Sequence, residues 1–214
     1  LINAFWRISY VGGDNREPLT GLGDFIVANM NRMFPAVKSR RPPTGAVTAA
    51  GKKKKIRVGY LSQFFRSQAV SYYMVNRVIY HDRENFEVYI FALGDRQDQI
   101  TELFKRHSDY FRSFPELTDP QRAMEQIIAA ISASRLDILI YPEIGLDPLT
   151  YLLAGLQLAP VQAALVGHGT TTGLPTIQYY ISGDFEPSQA QKHYREKLIC
   201  LPKLGVAQYP PPFI

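Results

Sequence analysis

Disulfide bonds, glycosylation sequons and membrane segments are all missing from this sequence. The single cysteine, Cys200, has no internal partner, and no Asn-x-Ser/Thr triplet occurs. No apolar run approaches the roughly 18 residues that a membrane-spanning helix needs, and the start carries no signal-peptide pattern. These absences favour a cytoplasmic protein with no membrane partner.

Several catalytic motifs are missing as well. The sequence has neither the Gly-Lys-Ser/Thr ending of a phosphate-binding P-loop nor the Gly-x-Gly-x-x-Gly pattern of dinucleotide-binding enzymes. It has no Gly-x-Ser-x-Gly, which marks many serine hydrolases, and no His/Cys/Asp cluster with zinc-like spacing. What is present is a chain of 214 residues with 46% hydrophobic residues, which is enough for a sizeable buried core.

Positive charge is concentrated in one short segment. The net charge is +5, but eight of the 24 basic side chains lie between Lys38 and Arg57, where no acidic residue occurs. Outside that segment, acidic residues outnumber basic ones. The segment has too little apolar surface to order itself, so we interpret it as a solvated linker, with an anion-binding tail as the alternative. The remainder of the chain gives no reason to expect a nucleic-acid partner.

The chain divides into four parts. We expect a helical segment over residues 1–36, the basic linker over 37–55, a main domain over 56–205, and a proline-rich linker over 206–214 that leads toward a further lobe. The helical segment begins with a short aromatic helix around Phe5 and Trp6. A longer helix follows, with one apolar stripe at three- and four-residue spacing: Leu22, Phe25, Ile26, Met30 and Met33. A helical pair this short cannot cover its own stripe, so it should dock on the main domain or on a segment upstream.

The main domain alternates strands and helices. Strands are predicted over residues 56–62, 86–93, 136–141, 161–166, 178–182 and 198–201. Helices are predicted over residues 68–80, 100–107, 120–134 and 148–158, the last two each starting with a capping Asp before Pro (Asp119 and Asp147), and a further one is capped by Ser188. This order is typical of an α/β protein with a Rossmann-like, doubly wound and mostly parallel sheet. In such sheets ligands bind outside the carboxyl ends of the strands, so the loops at that edge form the candidate site.

The most informative of these loops runs from Gly167 to Gly173, with the sequence Gly-His-Gly-Thr-Thr-Thr-Gly. Its three glycines permit positive φ and a close approach of a ligand, and its amide N–H groups are suited to bind an oxyanion or a phosphate. His168, between two glycines, is poorly placed to be a packed core residue. The alternative interpretation is a plain Gly/Thr-rich turn with an exposed histidine.

Two earlier loops also offer polar side chains. After the first strand, Gln68 or Ser71 is suited to hold a substrate hydroxyl, and Ser67 as the cap of a helix explains the same loop equally well. After the second strand, Asp95 and Asp98 are suited to bind a hydroxyl or to stabilise the start of a helix.

At these positions the sequence resembles the O-GlcNAc transferase-like glycosyltransferases, which include the protein O-GlcNAc transferases and related bacterial cytoplasmic N-glycosyltransferases. The resemblance covers about residues 56–205 in order, and no single piece is specific alone. Six collinear pieces carry it: IRVGYLS at 56–62, NFEVY at 85–89, LAPVQA at 158–163, GHGTTTG at 167–173, YYISGD at 179–184, and YREKL with the following LP at 194–202.

The resemblance implies the N-terminal lobe of a GT-B enzyme, in which two Rossmann-like lobes face each other across a cleft. UDP-GlcNAc or another UDP-hexose would bind mainly to a C-terminal lobe, as a substrate and without a metal or other cofactor. An inverting reaction would move the sugar to Ser/Thr, or Asn, of a protein or peptide acceptor. This lobe would supply sugar and acceptor contacts from Gly167, His168, Gly169, Thr170, Gln68 and Asp98. The N-terminal helices are similar to those that join upstream tetratricopeptide repeats to the catalytic region.

The sequence departs from the family in the loop after the first strand. Family members carry two histidines there, one of them proposed as a base, whereas this sequence has Gln68 and Tyr72. Glutamine does not take up a proton at neutral pH, so the catalytic residue is left unidentified. The family's basic residue for the UDP phosphates belongs to the other lobe, and we expect this chain by itself to be inactive. Two alternatives to a catalytic lobe stay open: a glycosyltransferase-like binding scaffold without catalysis, and a free-standing Rossmann-like domain that binds a nucleotide or phosphate.

Overall fold

The computed structural model describes residues 7–8, 10, 12–37, 54–115, 119–206 and 208–210. Its elements in chain order are α1 (Arg16–Met33), β1 (Ile56–Ser62), α2 (Ala69–Ile79), β2 (Phe86–Leu93), α3 (Gln99–Arg106), β3 (Tyr110–Phe114), α4 (Pro120–Ser134), β4 (Ile138–Tyr141), α5 (Pro148–Ala154), β5 (Val161–Leu165), β6 (Tyr179–Gly183), a 3-10 helix (Ala190–His193) and β7 (Lys197–Leu201). None of the described helices combines the length and apolar character that crossing a membrane requires.

The seven strands form one parallel sheet in the order β3-β2-β1-β4-β5-β6-β7. On one side of β1 the register runs from Ile56 opposite Phe86 to Ser62 opposite Ala92, and on the other side Gly59 lies opposite Leu139. The chain first builds outward from β1 to β3 and then returns to the other side of β1 to place β4. The strand order therefore reverses between β1 and β4, which is where a doubly wound sheet opens a crevice for ligands.

Helices cover both faces of the sheet, so the central strands are buried on both sides. On one face α2 and α3 pack on β1 and β2, in a core that contains Val75, Phe104 and Ile90. On the other face α1, α4 and α5 share a larger core that contains Ile26 and Ile131. This is the Rossmann-like α/β architecture that the strand and helix pattern predicts.

Three of the helices begin at a capping aspartate. The Asp119 carboxylate accepts hydrogen bonds from the N–H groups of the first turn of α4, and Asp147 accepts from the N–H of Thr150 in α5. A proline follows each of these two caps, where its missing N–H costs nothing. Asp98 caps α3 in a reciprocal capping box with Thr101. The sequence-based cap assignments for Asp119 and Asp147 are therefore confirmed.

Several predicted elements need correction. Strand β3 was not expected; it is an edge strand in which Arg112 is exposed, so its apolar signal is weak. Helix α5 ends at Ala154 rather than near Leu158, because Gly155 follows and packs against α1. The turn after residue 188 is a 3-10 helix with Gln189 at its N-cap, so Ser188 does not cap it.

Helix α1 docks on the main domain, as expected, and its buried face overlaps the predicted stripe only in part, with Leu22 packed against the core. Ile26 and Met30 are buried as predicted, whereas Phe25 is 56% and Met33 49% exposed. The buried face is completed by Leu19 and Gly23. The predicted short helix around Phe5 and Trp6 lies outside the described residues, as does most of the basic linker.

Candidate functional site

The carboxyl edge of the sheet places the loops after β1 and β4 side by side at the point where the strand order reverses. Ser62 ends β1, and Glu143 follows β4 by two residues. Glu143 is fully buried, and neither of its carboxylate oxygens has a hydrogen-bond partner of normal geometry. Burial raises the pKa of Glu143 to about 8, although the Ser62 hydroxyl and the Gln63 N–H act in the opposite direction. A carboxyl group that holds its proton near neutral pH thus lies beneath the crevice.

The Gly167–Gly173 loop begins directly beside Glu143. The Gly167 N–H donates to the Pro142 carbonyl at 3.2 Å. A Cβ on Gly167 would be 2.2 Å from that same carbonyl oxygen, so a close backbone approach requires glycine here. Gly169 is exposed, and a Cβ on it would meet nothing within 4 Å. Among the three glycines of the loop, only Gly173 has a positive φ, of 70°. Of the two uses of glycine considered from the sequence, positive φ therefore applies to Gly173, and a close backbone approach applies to Gly167 and Gly173.

His168 is a packed residue, contrary to the sequence-based expectation. Its relative exposure is 6%, and its carbonyl oxygen accepts a hydrogen bond from the buried hydroxyl of Tyr180. Burial lowers the pKa of His168, which keeps the imidazole neutral at pH 7. The backbone at His168 turns sharply, since the Thr170 N–H donates to the His168 carbonyl at 2.9 Å. The loop thus presents its tip at Gly169 while the side chain of His168 faces inward.

The second half of the loop is fixed by a buried carboxylate from the segment before β7. One oxygen of Glu196 accepts from the Thr171 hydroxyl at 2.6 Å, and the other accepts from the Thr172 N–H at 2.8 Å and from the Thr172 hydroxyl. The Tyr151 hydroxyl of α5 also donates to the Thr172 carbonyl at 3.0 Å. Thr171, Thr172 and Glu196 are all buried.

The polar residues after β1 and β2 form a second cluster, made of Ser67, Gln68, Tyr72 and Asp98. Asp98 uses one carboxylate oxygen to cap α3 and the other to accept from the Ser67 N–H at 2.6 Å. Burial raises the pKa of Asp98, but these hydrogen bonds outweigh burial and hold the pKa below its ordinary value. The Ser67 hydroxyl is 2.7 Å from the Tyr72 hydroxyl. Gln68, not Ser67, is the N-cap of α2, and its side chain makes no capping hydrogen bond.

The loop and the β1 side of the edge meet in one crevice. Val70, in the first turn of α2, lines the same small cavity as Pro142 and Gly167. The structure therefore brings the start of α2, which follows Gln68, close to the start of the loop. Asp98 reaches the same helix start through Ser67.

Two larger cavities flank these residues. One of about 310 Å³ lies against the loop tip and is lined by Gly169 and Thr170, with Glu186, His193 and Tyr194 opposite. The other, of about 350 Å³, is mostly apolar and lies between α4 and α5, next to Gln63 and Gly94. Both volumes are in the range of small-molecule sites. In the described part of the chain, no group of three His, Cys, Asp or Glu side chains is arranged to hold a metal ion.

Sequence reasoning missed the residues that support the loop. Glu196 and Tyr180 belong to pieces that resemble the family, but the sequence pattern gives them no role. Their signal was a lone acidic residue beside a strand and an aromatic residue within one, and both patterns are common in α/β domains. Only the fold shows that both side chains point to the loop.

Comparison with known proteins gives a consistent result at both the sequence and the fold level. The profile of the family described as glycosyl transferase family 41 matches residues 38–206. The chain is 27% identical over 166 residues to a probable UDP-N-acetylglucosamine–peptide N-acetylglucosaminyltransferase SPINDLY of Petunia hybrida, covering 75% of this chain and 17% of that protein. It is 29% identical over 157 residues to the corresponding probable enzyme SEC of Arabidopsis thaliana, covering 73% of this chain and 16% of that one.

The fold is also that of a solved structure. A Thermobaculum terrenum O-GlcNAc transferase mutant, K341M, superposes with a TM-score of 0.66 at 21% identity, over 99% of this chain and 42% of that chain. The chain thus spans about a sixth of the length of the curated relatives and less than half of the solved structure.

Proposed function

Because the chain belongs to glycosyl transferase family 41, we propose that it forms the acceptor-side lobe of an inverting, metal-independent protein glycosyltransferase. The enzyme would move GlcNAc or another hexose from a UDP-sugar to Ser/Thr, or Asn, of a cytoplasmic protein. A second lobe would bind most of the UDP-sugar, and tetratricopeptide repeats would precede this lobe. The names of the two plant relatives specify UDP-N-acetylglucosamine and a peptide, which supports this donor and this acceptor class.

The observation that carries the proposal is the contrast between the two ends of the 167–173 loop. Its second half is buried and fixed by Glu196, while its tip at Gly169 is exposed at the carboxyl edge of the sheet. The tip borders a cavity of about 310 Å³, which has room for a hexose. A rigid loop with an open backbone tip is suited to hold a sugar in one orientation.

The contribution of this lobe to catalysis is orientation rather than proton transfer. Gln68 has no basic group, and the Tyr72 hydroxyl is paired with Ser67, so neither replaces the family's histidine as a base. The imidazole of His168 faces inward and is kept neutral by burial, so it offers no charge to the sugar. The backbone of Gly169 and the hydroxyl of Thr170 would bind and orient the hexose while the second lobe stabilises the departing UDP.

The direct test is an assay of the full-length protein with UDP-GlcNAc, then with other UDP-hexoses, and a set of Ser-, Thr- and Asn-containing peptides. We expect release of UDP that depends on the peptide, together with a mass increase on the acceptor of one N-acetylhexosamine residue from UDP-GlcNAc, or of one hexose residue from another UDP-hexose. Mass spectrometry after electron-transfer fragmentation would identify the linked side chain.

The Gln68 and Tyr72 substitutions favour one alternative, a glycosyltransferase-like scaffold without catalysis. That alternative requires full-length protein that binds UDP or peptide in calorimetry but shows no turnover with any UDP-hexose. Restoring histidine at both positions, with Gln68→His and Tyr72→His, would then be expected to leave the protein folded and inactive. Turnover by the wild-type protein excludes the scaffold.

A further inference from the structure

The carboxylate of Glu196 is buried directly under the loop that faces the proposed sugar site. We propose that Glu196 is a positioning residue for glycosyl transfer: it fixes the second half of the 167–173 loop so that the exposed tip keeps one shape. The catalytic part of this inference depends on the proposed function, whereas the loop-holding part does not. Glu196 itself is only 2% exposed, so it acts through the loop and not by touching the sugar.

The geometry of the hydrogen bonds is the first argument. Glu196 accepts from two hydroxyls and one backbone N–H of two adjacent loop residues, Thr171 and Thr172. Both hydroxyls in turn accept backbone N–H groups farther along the loop, from Gly173 at 3.2 Å and from Leu174 at 3.1 Å. A single carboxylate therefore sets the direction of two hydroxyls, and these set the path of the following backbone.

Charge is the second argument. None of the ion pairs among the described residues involves Glu196, so its buried charge is stabilised by these neutral donors. Hydrogen bonds to a carboxylate are stronger than those between neutral groups. Glutamine has the same shape, but one of its two oxygens is replaced by an NH2 group. That donor would face either the Thr172 N–H, which is itself a donor, or the Thr171 hydroxyl, which already accepts the N–H groups of Gly173 and Arg195. The substitution Glu196→Gln thus removes the hold on the loop with little change in volume.

The neighbouring Arg195 links the same part of the loop to α1. Its guanidinium donates to the Gly173 carbonyl at 2.9 Å and to Asp24 of α1 at 2.8 Å. Its backbone N–H donates to the Thr171 hydroxyl at 3.2 Å. The loop is thus held from the segment before β7 and from α1 at once, and its end next to α1 cannot move without breaking both attachments.

The first test measures the loop without reference to activity. In the full-length protein, Glu196→Gln should increase amide hydrogen exchange in a peptide that spans residues 167–173 by roughly tenfold, the factor expected for one lost hydrogen bond to a charged group. Thr172→Val should have a similar effect, because it removes one of the donors, and Thr172→Ser should retain slow exchange. Glu87→Gln is the matched control, since it removes a carboxylate that pairs with Arg57 at the amino ends of β1 and β2 and makes no contact with the loop.

The second test measures transfer with UDP-GlcNAc and a peptide acceptor. A displaced loop tip should lower kcat/KM for the donor by roughly 10- to 100-fold. The double variant Glu196→Gln/Thr172→Val should be no worse than the more impaired single variant, because both remove the same contact. Thr172→Ser should restore most of the activity lost in Thr172→Val.

The outcomes separate the two proposals. Unchanged loop exchange in folded Glu196→Gln, or faster exchange with wild-type kinetics, would overturn the positioning role. Faster exchange in a protein that shows no turnover with any UDP-hexose would overturn the proposed function and leave the loop-holding role in place. If Glu196→Gln does not fold, the comparison of Thr172→Val with Thr172→Ser decides, because equal exchange and kinetics in these two variants would contradict the inference.

Discussion

The backbone of Gly23 in α1 lies against the backbone of Gly173 at the end of the loop. A Cβ on Gly23 would be 1.9 Å from the Gly173 carbonyl oxygen, and a Cβ on Gly173 would be equally close to the Leu19 carbonyl oxygen. Two glycines facing each other let a helix and a loop approach at backbone distance. The N-terminal helix is therefore part of the support of the candidate site.

This contact predicts that Gly23→Ala destabilises the protein. The added methyl group meets backbone atoms, which cannot move aside as a side chain would, so we expect a loss of roughly 1–3 kcal/mol in the free energy of unfolding. Chemical denaturation measures this loss. Gly21→Ala is the control on the same helix, because a Cβ there meets nothing within 4 Å. It should be neutral or stabilising by up to about 1 kcal/mol, and equal losses in the two variants would contradict the close contact.

The 167–173 loop predicts opposite results for two neighbouring glycines. Gly167→Ala places a Cβ against the Pro142 carbonyl and should lower the free energy of unfolding by roughly 1–3 kcal/mol. Gly169→Ala has open space and should change stability by less than about 0.5 kcal/mol. If the tip faces the sugar, Gly169→Ala should still reduce kcat/KM for the UDP-sugar by roughly tenfold. Normal transfer by Gly169→Ala would place the sugar elsewhere.

Glu143 predicts that stability falls as pH rises toward alkaline values. Its pKa is about 8 in the folded protein, against an ordinary value near 4.3 in the unfolded chain. Between these two pKa values the folded state binds more protons than the unfolded state. The contribution of Glu143 to the free energy of unfolding is therefore complete below the unfolded-state pKa, and it is lost as pH rises through the folded-state pKa. Glu143→Gln should flatten the decrease between about pH 5 and pH 8, as measured by urea denaturation at each pH. An unchanged slope would show that Glu143 is ionised throughout, and Glu125→Gln on the exposed face of α4 is the control.

Two substitutions of Asp98 should distinguish its cap on α3 from the role of its negative charge. Asp98→Ala removes the cap of α3 and should cost about 1 kcal/mol. Asp98→Asn keeps a capping oxygen for Thr101 and Ile100 but loses the acceptor for the Ser67 N–H. If Asp98 contacts the acceptor, the Asn variant should be nearly as stable as wild type and yet raise KM for the peptide. A peptide KM that changes only in the Ala variant would assign Asp98 to structure alone.

Much of the fold follows from local sequence. The limits of β1 and β2 were predicted to the residue, since both segments are rich in β-branched, aromatic and other apolar residues and are bounded by clearly polar segments. Helix α4 was predicted equally well, because Asp119 and Pro120 fix its start. The edge strand β3 was not found, because a half-exposed strand needs no continuous apolar pattern.

The site was less predictable, for a physical reason. The loop was identified from its glycines, but the hydrogen bond that the His168 carbonyl accepts comes from Tyr180, and the requirement for Gly167 depends on Pro142, 25 positions earlier in the chain. The capping function of Asp98 is one of the two roles that its position after a strand indicates. Contacts between distant segments are set by the packing of the whole sheet, and no local pattern contains them.

The shared core of α1, α4 and α5 has a practical consequence for dissecting the protein. A shortened version starting at Ile56 would expose the apolar surface that Leu19, Ile26 and Met30 cover. Because this surface would then contact water, we expect the shortened version to aggregate. Expression boundaries therefore belong upstream of Arg16. A separate peptide with the sequence of α1 should bind to the same apolar surface and keep the shortened version soluble.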